Sequence, residues 1–474
     1  MASRPDGFVR PAWLAATALA ALGWWFGSGL HPLWWLSWLA PLPVLWLAPR
    51  VSAPSAALAA FVAYAIGGLN QWTYMHTYIG LPLPVIAYAT GLPSLILVLC
   101  VLLYRRLLWR GHTLAAAFAP PALWVACEYI NNLLSPHGTF GSIAYTQIDA
   151  LPVIQVAAIG GIWAISFLLL LVPAAIAVQT APLASKQGRV SAAAIAAICI
   201  AFTVAYGSWR LQAPATTTMR IGLASLQKPI MPSLQEPRGQ ALEARYAEAM
   251  TRLANAGAQT VLIPETSLTT TDATVPAFAE LAKQRGLTVA AGINFKGDPS
   301  TPRNMLTVLQ PGATSPATYS KHHLLIGLEE YTPGDSYTLL QGTPRIGLAI
   351  CKDLDFHDTG HAYATRNTQL LLVPASDFIV DGWLHSRMAI MRSVESGFAM
   401  ARAARNGRLT LSDDRGRVVA EASSEQRDAE LVGDLPLRDT HTLYTRWGDW
   451  LVWFDLGALA ASLALAFRWR RAAA

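Results

Sequence analysis

The segment RIGLAICKDLDF, residues 345–356, contains a short apolar run that stops abruptly at charged residues. The run covers residues 346–350, and Lys352 and Asp353 follow directly after Cys351. An apolar run bounded by a polar turn predicts a buried strand that ends where the chain enters a loop. Cys351 is therefore either a small buried residue that closes the strand or a side chain that the strand presents to a substrate.

Two other predicted strands end in residues whose chemistry complements a thiol. Glu265 follows the apolar run in TVLIPETSL, and Lys321 follows the run in ATYSKHHLL. A carboxylate can take the proton of a thiol, and an ammonium with a backbone N–H can stabilise the oxyanion of an acyl-transfer step. Glu265, Lys321 and Cys351 therefore suffice for covalent acyl transfer without a metal or cofactor, if the fold brings the three strand ends together.

Charged residues are distributed unevenly along the 474-residue chain. Residues 1–210 hold nine Lys/Arg and three Asp/Glu, only 12 of the 64 charged residues. This distribution predicts membrane segments in the first half and a soluble domain in the second. The whole net charge of +6 arises in residues 1–210, beside apolar segments, so it does not indicate a nucleic-acid partner.

Eight apolar segments are long enough, or nearly so, to cross a bilayer, which takes about 17–25 residues. Lys and Arg occur at both termini and in alternate connections, and the intervening connections 27–32, 80–84 and 136–155 have none. Because cytoplasmic connections are enriched in Lys and Arg, we expect cytoplasmic termini and a periplasmic domain at 211–448, in the inner membrane of a Gram-negative-type cell. The predicted spans are 11–30, 33–49, 54–79, 84–104, 113–135, 156–180, 190–209 and 449–467.

Residues 219–440 alternate between strand-like and helix-like patterns, which is typical of a layered α/β or α+β domain. The predicted strands are 219–226, 258–264, 287–293, 303–310, 345–350, 368–374, 408–420 and 429–434. The predicted helices are 237–256, 275–285 and 385–405, the last from apolar residues at helical spacing.

The order Glu265, Lys321, Cys351, with each residue at the end of a strand, resembles the Glu-Lys-Cys triad of the nitrilase, or carbon–nitrogen hydrolase, superfamily. Seven spans, a nitrilase-like domain and one final span resemble the plan of the apolipoprotein N-acyltransferase family, and PETS (264–267) and EYTPG (330–334) are similar to its motifs. The resemblance implies a membrane α-helical bundle (7+1 spans) that carries a nitrilase-like α/β sandwich with αββα layers. It implies a membrane domain at 1–210, a catalytic domain at 211–448, and a final helix with a basic cytoplasmic tail at 449–474.

The resemblance also implies a ping-pong acyl transfer within the membrane lipid. Cys351 would take a fatty acyl chain from a phospholipid as a thioester and pass it to the N-terminal amine of a diacylglyceryl-cysteine lipoprotein. Glu265 would act as general base, Lys321 as oxyanion stabiliser, and the Lys352 N–H as second oxyanion donor. No cofactor, metal or nucleic acid is implied, and a monomer is expected.

A second carboxylate that positions the lysine is also implied, and the sequence EEYTP offers two residues for it. Alignment by EYTP favours Glu330, whereas counting from Lys321 favours Glu329. We predict Glu330.

Two departures from the family pattern keep other functions open. Lys352 and Asp353 follow the cysteine where the family commonly has an aromatic residue and then Glu, and ASDFIVDGW (375–383) replaces a Ser-Asn-Asp-aromatic pattern. The alternatives are a membrane-tethered amidase of a small amide and a non-catalytic scaffold that has kept the fold. His357 and His361 have an i, i+4 spacing, but such residues in a polar loop are usually solvated, so no metal site is predicted.

Overall fold

The computed structural model of the chain describes residues 6–227, 231–340 and 342–467. Arg4 and the basic tail predicted at 468–471 lie outside the described residues. The chain divides into two compact units. The described part of one unit comprises 6–135, 140–210 and 447–467, and that of the other comprises 136–139 and 211–446 without the undescribed positions.

The first unit is built from helices. Its longest helices are apolar along most of their length, and many of their large apolar side chains are exposed, as expected for a surface that lipid covers. The helices are α1 (Asp6–Gly27), α2 (Trp34–Ser37), α3 (Leu42–Leu47), α4 (Ala53–Gly68), α5 (Leu83–Trp109), α6 (Thr113–Leu134), α7 (Leu151–Ile154), α8 (Ala157–Gln179) and α9 (Lys186–Leu211), with α15 (Trp450–Phe467) at the end of the chain.

Six helices in the described part of the chain are long and apolar enough to cross a membrane. They cover Ala53–Gln71, Leu83–Trp109, Thr113–Leu134, Ala157–Gln179, Lys186–Leu211 and Trp450–Phe467. The finding confirms a multi-helix membrane segment but gives six candidates instead of the eight predicted.

The predicted second span, 33–49, is not one continuous helix. It forms the short helices α2 and α3, and α3 begins directly after Pro41 with Pro43 in its first turn. Proline has no N–H to donate and is tolerated in a first turn, so two closely spaced prolines favour a new helix start over a continuous helix. The prediction of one continuous helix over 33–49 is wrong for this physical reason.

The second unit contains two six-stranded sheets, with strand orders β12-β1-β2-β3-β4-β5 and β11-β10-β9-β8-β7-β6. In each sheet three consecutive strands are parallel, namely β1, β2 and β3 in one and β7, β8 and β9 in the other. The strands are β1 (Thr217–Ser225), β2 (Thr260–Thr270), β3 (Thr288–Phe295), β4 (Arg303–Leu309), β5 (Ala317–Ser320), β6 (Leu339–Leu340), β7 (Ile346–Leu348), β8 (Leu370–Ser376), β9 (Ala399–Arg405), β10 (Arg408–Ser412), β11 (Val418–Ser423) and β12 (Ala429–Leu437).

The sheets pack face to face, and helices cover their outer faces. One buried apolar cluster joins the inner faces of both sheets, and another joins the first sheet to α10 and α11. Helices α12 and α13 follow β7 and β8 of the second sheet, and α13 packs against β9 and β10. This is the expected αββα sandwich. The helices are α10 (Pro237–Asn255), α11 (Pro276–Arg285), α12 (His357–Ala364), α13 (Gly382–Ser396) and α14 (Leu443–Trp447).

The helix predicted over 385–405 is wrong in its second half. It ends at Ser396, and the αL residue Gly397, with φ 87°, turns the chain into β9. The alanine-rich segment Ala399–Arg405 favours a helix by propensity, but burial between two neighbouring strands decides its conformation. The strand predicted over 408–420 likewise divides into β10 and β11 around a turn.

Candidate active site

Glu265 lies inside β2, although the sequence predicts it just after the strand. The register between β2 and β3 shifts between Ile263 and Leu268, and Thr266 has a φ of 47°. A strand irregularity of this kind redirects a side chain. Glycine is required at position 292 on β3, because a Cβ there would lie 2.6 Å from the Glu265 Cα. The Glu265 carboxylate is thereby fixed in a buried position.

Lys321, directly after β5, is held between two carboxylates. Its Nζ lies 2.8 Å from Glu265 Oε1 and 2.8 Å from Glu329 Oε1. The Asn304 side chain donates hydrogen bonds to the same two oxygens, at 2.6 and 3.2 Å. Burial lowers the pKa of Lys321, but the charges of Glu265 and Cys351, and then of Glu329, raise it well above its ordinary value. The raised pKa favours the charged ammonium form of Lys321.

Glu329, and not Glu330, is the second carboxylate at Lys321. The Glu329 N–H donates to the Leu325 carbonyl at 2.9 Å, and Glu329 Oε2 accepts from the Leu325 N–H at 2.8 Å. This compact turn returns Glu329 to the lysine and leaves Glu330 exposed, so the prediction of Glu330 is wrong. Burial and the like charge of Glu265 raise the pKa of Glu329, and Lys321 opposes this rise.

Cys351 begins the turn after β7 and has a strained backbone. Its φ of 46° is in the left-handed region, which costs a non-glycine residue about 1–3 kcal/mol and persists only where the surroundings enforce it. Its Sγ lies 3.9 Å from the carbonyl oxygen of Ser376, at the end of β8. Burial raises the pKa of the Cys351 thiol, the charge of Glu265 raises it further, and Lys321 lowers it. The raised pKa favours the protonated thiol, and a protonated thiol needs a base to become a nucleophile.

Asp353 joins the cysteine turn to the loop after the lysine. Its fully buried carboxylate accepts hydrogen bonds from the N–H groups of Ile350, His322 and His323, at 2.9, 3.1 and 2.9 Å. It also accepts a bond from the Tyr319 hydroxyl at 2.8 Å. Burial alone would raise the pKa of Asp353, but the hydrogen bonds and charge of His323 lower it. Asp353, the second residue after Cys351, therefore stabilises the contact between the cysteine turn and the loop after Lys321.

His323 predicts a pH-dependent contribution to stability. Burial lowers its pKa, but Asp353 and Asp358 raise it overall from 6.5 to about 9. A raised folded-state pKa means that the stabilisation is complete below about pH 6.5 and is lost as pH rises through about 9. The difference in thermal unfolding between the wild type and His323→Gln is expected to shrink from about pH 6 to about pH 10. A difference that grows over this range, or one equal to that of the exposed control His361→Gln, would contradict the assignment.

Lys352, the residue predicted to supply a backbone oxyanion donor, follows Cys351 in a short 3-10 helix, Cys351–Asp355. Its side chain is 4% exposed, and it is directed to His137 and Asp355 and not to solvent. Sequence reasoning did not predict these side-chain partners.

A buried ion pair holds the strand ends behind the cysteine. The two Arg402 Nη atoms donate to the Asp377 carboxylate at 2.9 and 2.6 Å, next to the Ser376 carbonyl that faces Cys351. The roles of Asn304, Asp353 and this pair were not predicted from the sequence. The one available signal was a polar residue within or beside an apolar strand. Among the described residues, no group of three or more His, Cys, Asp or Glu is placed to hold a metal ion.

The αββα sandwich and its strand-end residues define the class of carbon–nitrogen hydrolases, and the family model "Carbon-nitrogen hydrolase" matches residues 222–443. The model "Apolipoprotein N-acyltransferase N-terminal domain" matches residues 16–175. The chain belongs to the apolipoprotein N-acyltransferase family.

Similar proteins cover nearly the whole chain. An apolipoprotein N-acyltransferase of Geobacter metallireducens is 26% identical over 93% of this chain and 92% of its own. One of Gloeobacter violaceus is 28% identical over 95% of this chain and 93% of its own. An amidase of Nesterenkonia sp. with a solved structure is 23% identical over 46% of this chain and 91% of its own, with a TM-score of 0.40.

Proposed function

We propose that the protein transfers a fatty acyl chain from a phospholipid to the N-terminal amine of a diacylglyceryl-cysteine lipoprotein, with Cys351 as the covalent carrier. The observation that carries the proposal is the contact of the Lys321 Nζ with the carboxylates of Glu265 and Glu329. The charges of Glu265 and Lys321 also act on the Cys351 thiol. The family match of both halves of the chain supports the lipid donor and the lipoprotein acceptor.

In the first half-reaction, Glu265 takes the thiol proton and the sulfur attacks the carbonyl carbon of the phospholipid ester. The negative charge that develops on the carbonyl oxygen is stabilised by the Lys321 ammonium and the Lys352 N–H. The C–O bond then breaks, Glu265 returns the proton to the departing alkoxide, and lysophospholipid leaves. The products are the Cys351 thioester and a neutral alcohol, so the protons balance.

In the second half-reaction, the amine of the lipoprotein attacks the thioester carbonyl and gives up a proton to Glu265. The same donors stabilise the second oxyanion. The C–S bond breaks, an amide forms, and Glu265 returns the proton to the sulfur. Glu329 does not exchange protons in this scheme; it holds Lys321 in place.

The proposed membrane arrangement keeps the predicted orientation. Seven spans precede the catalytic domain and one follows it, so that α1 and the broken segment 34–50 complete the membrane domain at 1–210. The alternation of Lys and Arg supports cytoplasmic termini and a periplasmic domain at 211–448 in the inner membrane. The protein would act as a monomer, with its acyl donor in the surrounding lipid.

The test is intact-mass spectrometry of the detergent-purified protein after incubation with phospholipid. A fatty-acyl mass increment that hydroxylamine removes is expected for the wild type and for the control Cys199→Ala, and is expected to be absent from Cys351→Ala. No increment on the folded wild type with several phospholipids would contradict acyl transfer from lipid. Hydrolysis of small amides by that protein would then support the membrane-tethered amidase.

A further inference from the structure

Residues 136–139 belong to the same compact unit as the candidate active site, although they follow α6 in the chain. The Thr139 N–H and hydroxyl both donate to the Asp355 carbonyl, at 2.9 and 2.6 Å. Gly138 has a φ of 53°, and a Cβ there would lie 2.6 Å from the same oxygen. The segment is therefore fitted against the turn that begins with Cys351, and position 138 requires glycine.

The Lys352 side chain reaches this segment. Its Nζ lies 3.0 Å from His137 Nδ1, 3.7 Å from Asp355 Oδ2 and 5.7 Å from the centre of the Phe356 ring. An ammonium has donors only, so His137 Nδ1 accepts and the imidazole proton is on Nε2. Burial and the charge of Lys352 lower the pKa of His137 against the opposing effect of Asp355, which agrees with a neutral imidazole.

The strained Cys351 backbone has to be held on both sides. Before it, the Asp353 carboxylate accepts the N–H of Ile350 at 2.9 Å. After it comes Lys352, whose side chain is held by His137 and by Asp355 Oδ2 of the same turn. A backbone conformation that costs about 1–3 kcal/mol relaxes where such anchors are removed.

We propose that His137 is a positioning residue for acyl transfer, which holds the Lys352 side chain and so fixes the direction of the Lys352 N–H beside Cys351. The proposal rests on the proposed function, in which this N–H is the second oxyanion donor. His137 does not contact the reacting atoms. Its effect passes through the peptide unit between Cys351 and Lys352.

The requirement for His137 depends on the charge of the side chain at position 352. A tyrosine at this position would carry no charge that needs a partner. A buried ammonium needs polar partners, since an unpaired buried charge is costly. His137 is therefore expected to matter with lysine at position 352 and to become dispensable when Lys352 is replaced by tyrosine.

The experiment measures single-turnover thioester formation from phospholipid at several donor concentrations. His137→Ala is expected to lower the maximal acylation rate by about tenfold, less than the 10²–10³-fold loss for a deleted oxyanion donor, with an unchanged donor concentration for half-maximal rate. His137→Asn, which keeps an acceptor near the position of Nδ1, should retain most of the rate. The exposed control His361→Ala should be unaffected. In the Lys352→Tyr background, His137→Ala should cause no further loss.

Hydrogen exchange of the peptide covering residues 350–356 separates failure of this proposal from failure of the proposed function. Faster exchange is expected in His137→Ala but not in His361→Ala. Unchanged exchange or unchanged acylation in His137→Ala would overturn the positioning role. So would a double variant whose loss of acylation rate equals the product of the losses in His137→Ala and Lys352→Tyr. If the wild type forms no thioester, the proposed function fails, and the exchange measurement still decides whether His137 anchors the turn.

Discussion

Replacement of Lys321 by methionine is expected to abolish detectable thioester formation and to destabilise the catalytic unit. Methionine removes the ammonium that would stabilise the oxyanion, and one such donor accounts for a factor of about 10²–10³. It also leaves Glu265 and Glu329, both in contact with Lys321 at 2.8 Å, without their shared counter-charge. Breaking a buried ion pair on one side typically costs about 3–5 kcal/mol.

The destabilisation of Lys321→Met should depend on pH in a defined direction. Without the lysine, the two carboxylates that Asn304 also contacts repel each other, so one of them is expected to take up a proton in the folded state. A carboxyl whose folded pKa is raised stabilises the fold at low pH and loses that contribution as pH rises through the folded pKa. The gap in thermal midpoint between wild type and variant should therefore widen from about pH 5 to about pH 8.

Lys283→Met is the matched control, because Lys283 is an exposed lysine on α11. It should leave acylation and the pH profile unchanged. Normal thioester formation by Lys321→Met would contradict the proposed oxyanion role. A stability gap that does not change with pH would contradict the account of the two carboxylates.

The three candidate site residues could be found from the sequence because each follows or interrupts an apolar run. Apolar strands are recognised from the sequence, and their ends meet at one edge of the sandwich, so Glu265, Lys321 and Cys351 are found by position and chemistry together. The choice between Glu329 and Glu330 was different. It depends on one hydrogen-bonded turn at Leu325, and adjacent glutamates look the same in composition and spacing.

Two errors in the secondary structure share a physical origin. The segment 399–405 has helical propensity, but it is buried as a strand by parallel pairing with β8 and antiparallel pairing with β10. The segment 33–49 is apolar enough for a span, but prolines break it into short helices. In both segments a local pattern competes with a tertiary or backbone constraint, and the constraint decides the result.

The side-chain contacts that hold the cysteine turn could not be predicted, because the residues that form each contact are far apart in the chain. His137 and Lys352 are separated by 215 positions, and Tyr319 and Asp353 by 34. A polar side chain in a turn is usually solvated, so a single sequence gives no reason to pair one of them with a distant residue. These contacts become visible only when the turn and the segments around it are placed in space.

Glu265→Gln is expected to lower the rate of acylation by phospholipid by about 10²–10⁴-fold, the usual range for a general base. The amide oxygen of glutamine can still accept from Lys321 and Asn304, which contact Glu265 Oε1 at 2.8 and 2.6 Å. Because Glu329 remains as the counter-charge of Lys321, the loss of stability should be smaller than in Lys321→Met. The exposed Glu248→Gln on α10 is the control and should retain the wild-type rate.

The leaving group distinguishes proton donation by Glu265 from a purely structural effect. A lysophospholipid alkoxide has to be protonated as it departs, whereas the nitrophenolate of a nitrophenyl fatty-acid ester leaves without a proton. The loss in Glu265→Gln should therefore be smaller with the nitrophenyl donor than with phospholipid, while thiol deprotonation remains impaired in both. An equal loss with both donors would show that Glu265 does not protonate the leaving group. An unchanged rate with phospholipid would remove Glu265 from the proton-transfer steps. Lys321 and Cys351 would then lack the base that a thiol with a raised pKa requires.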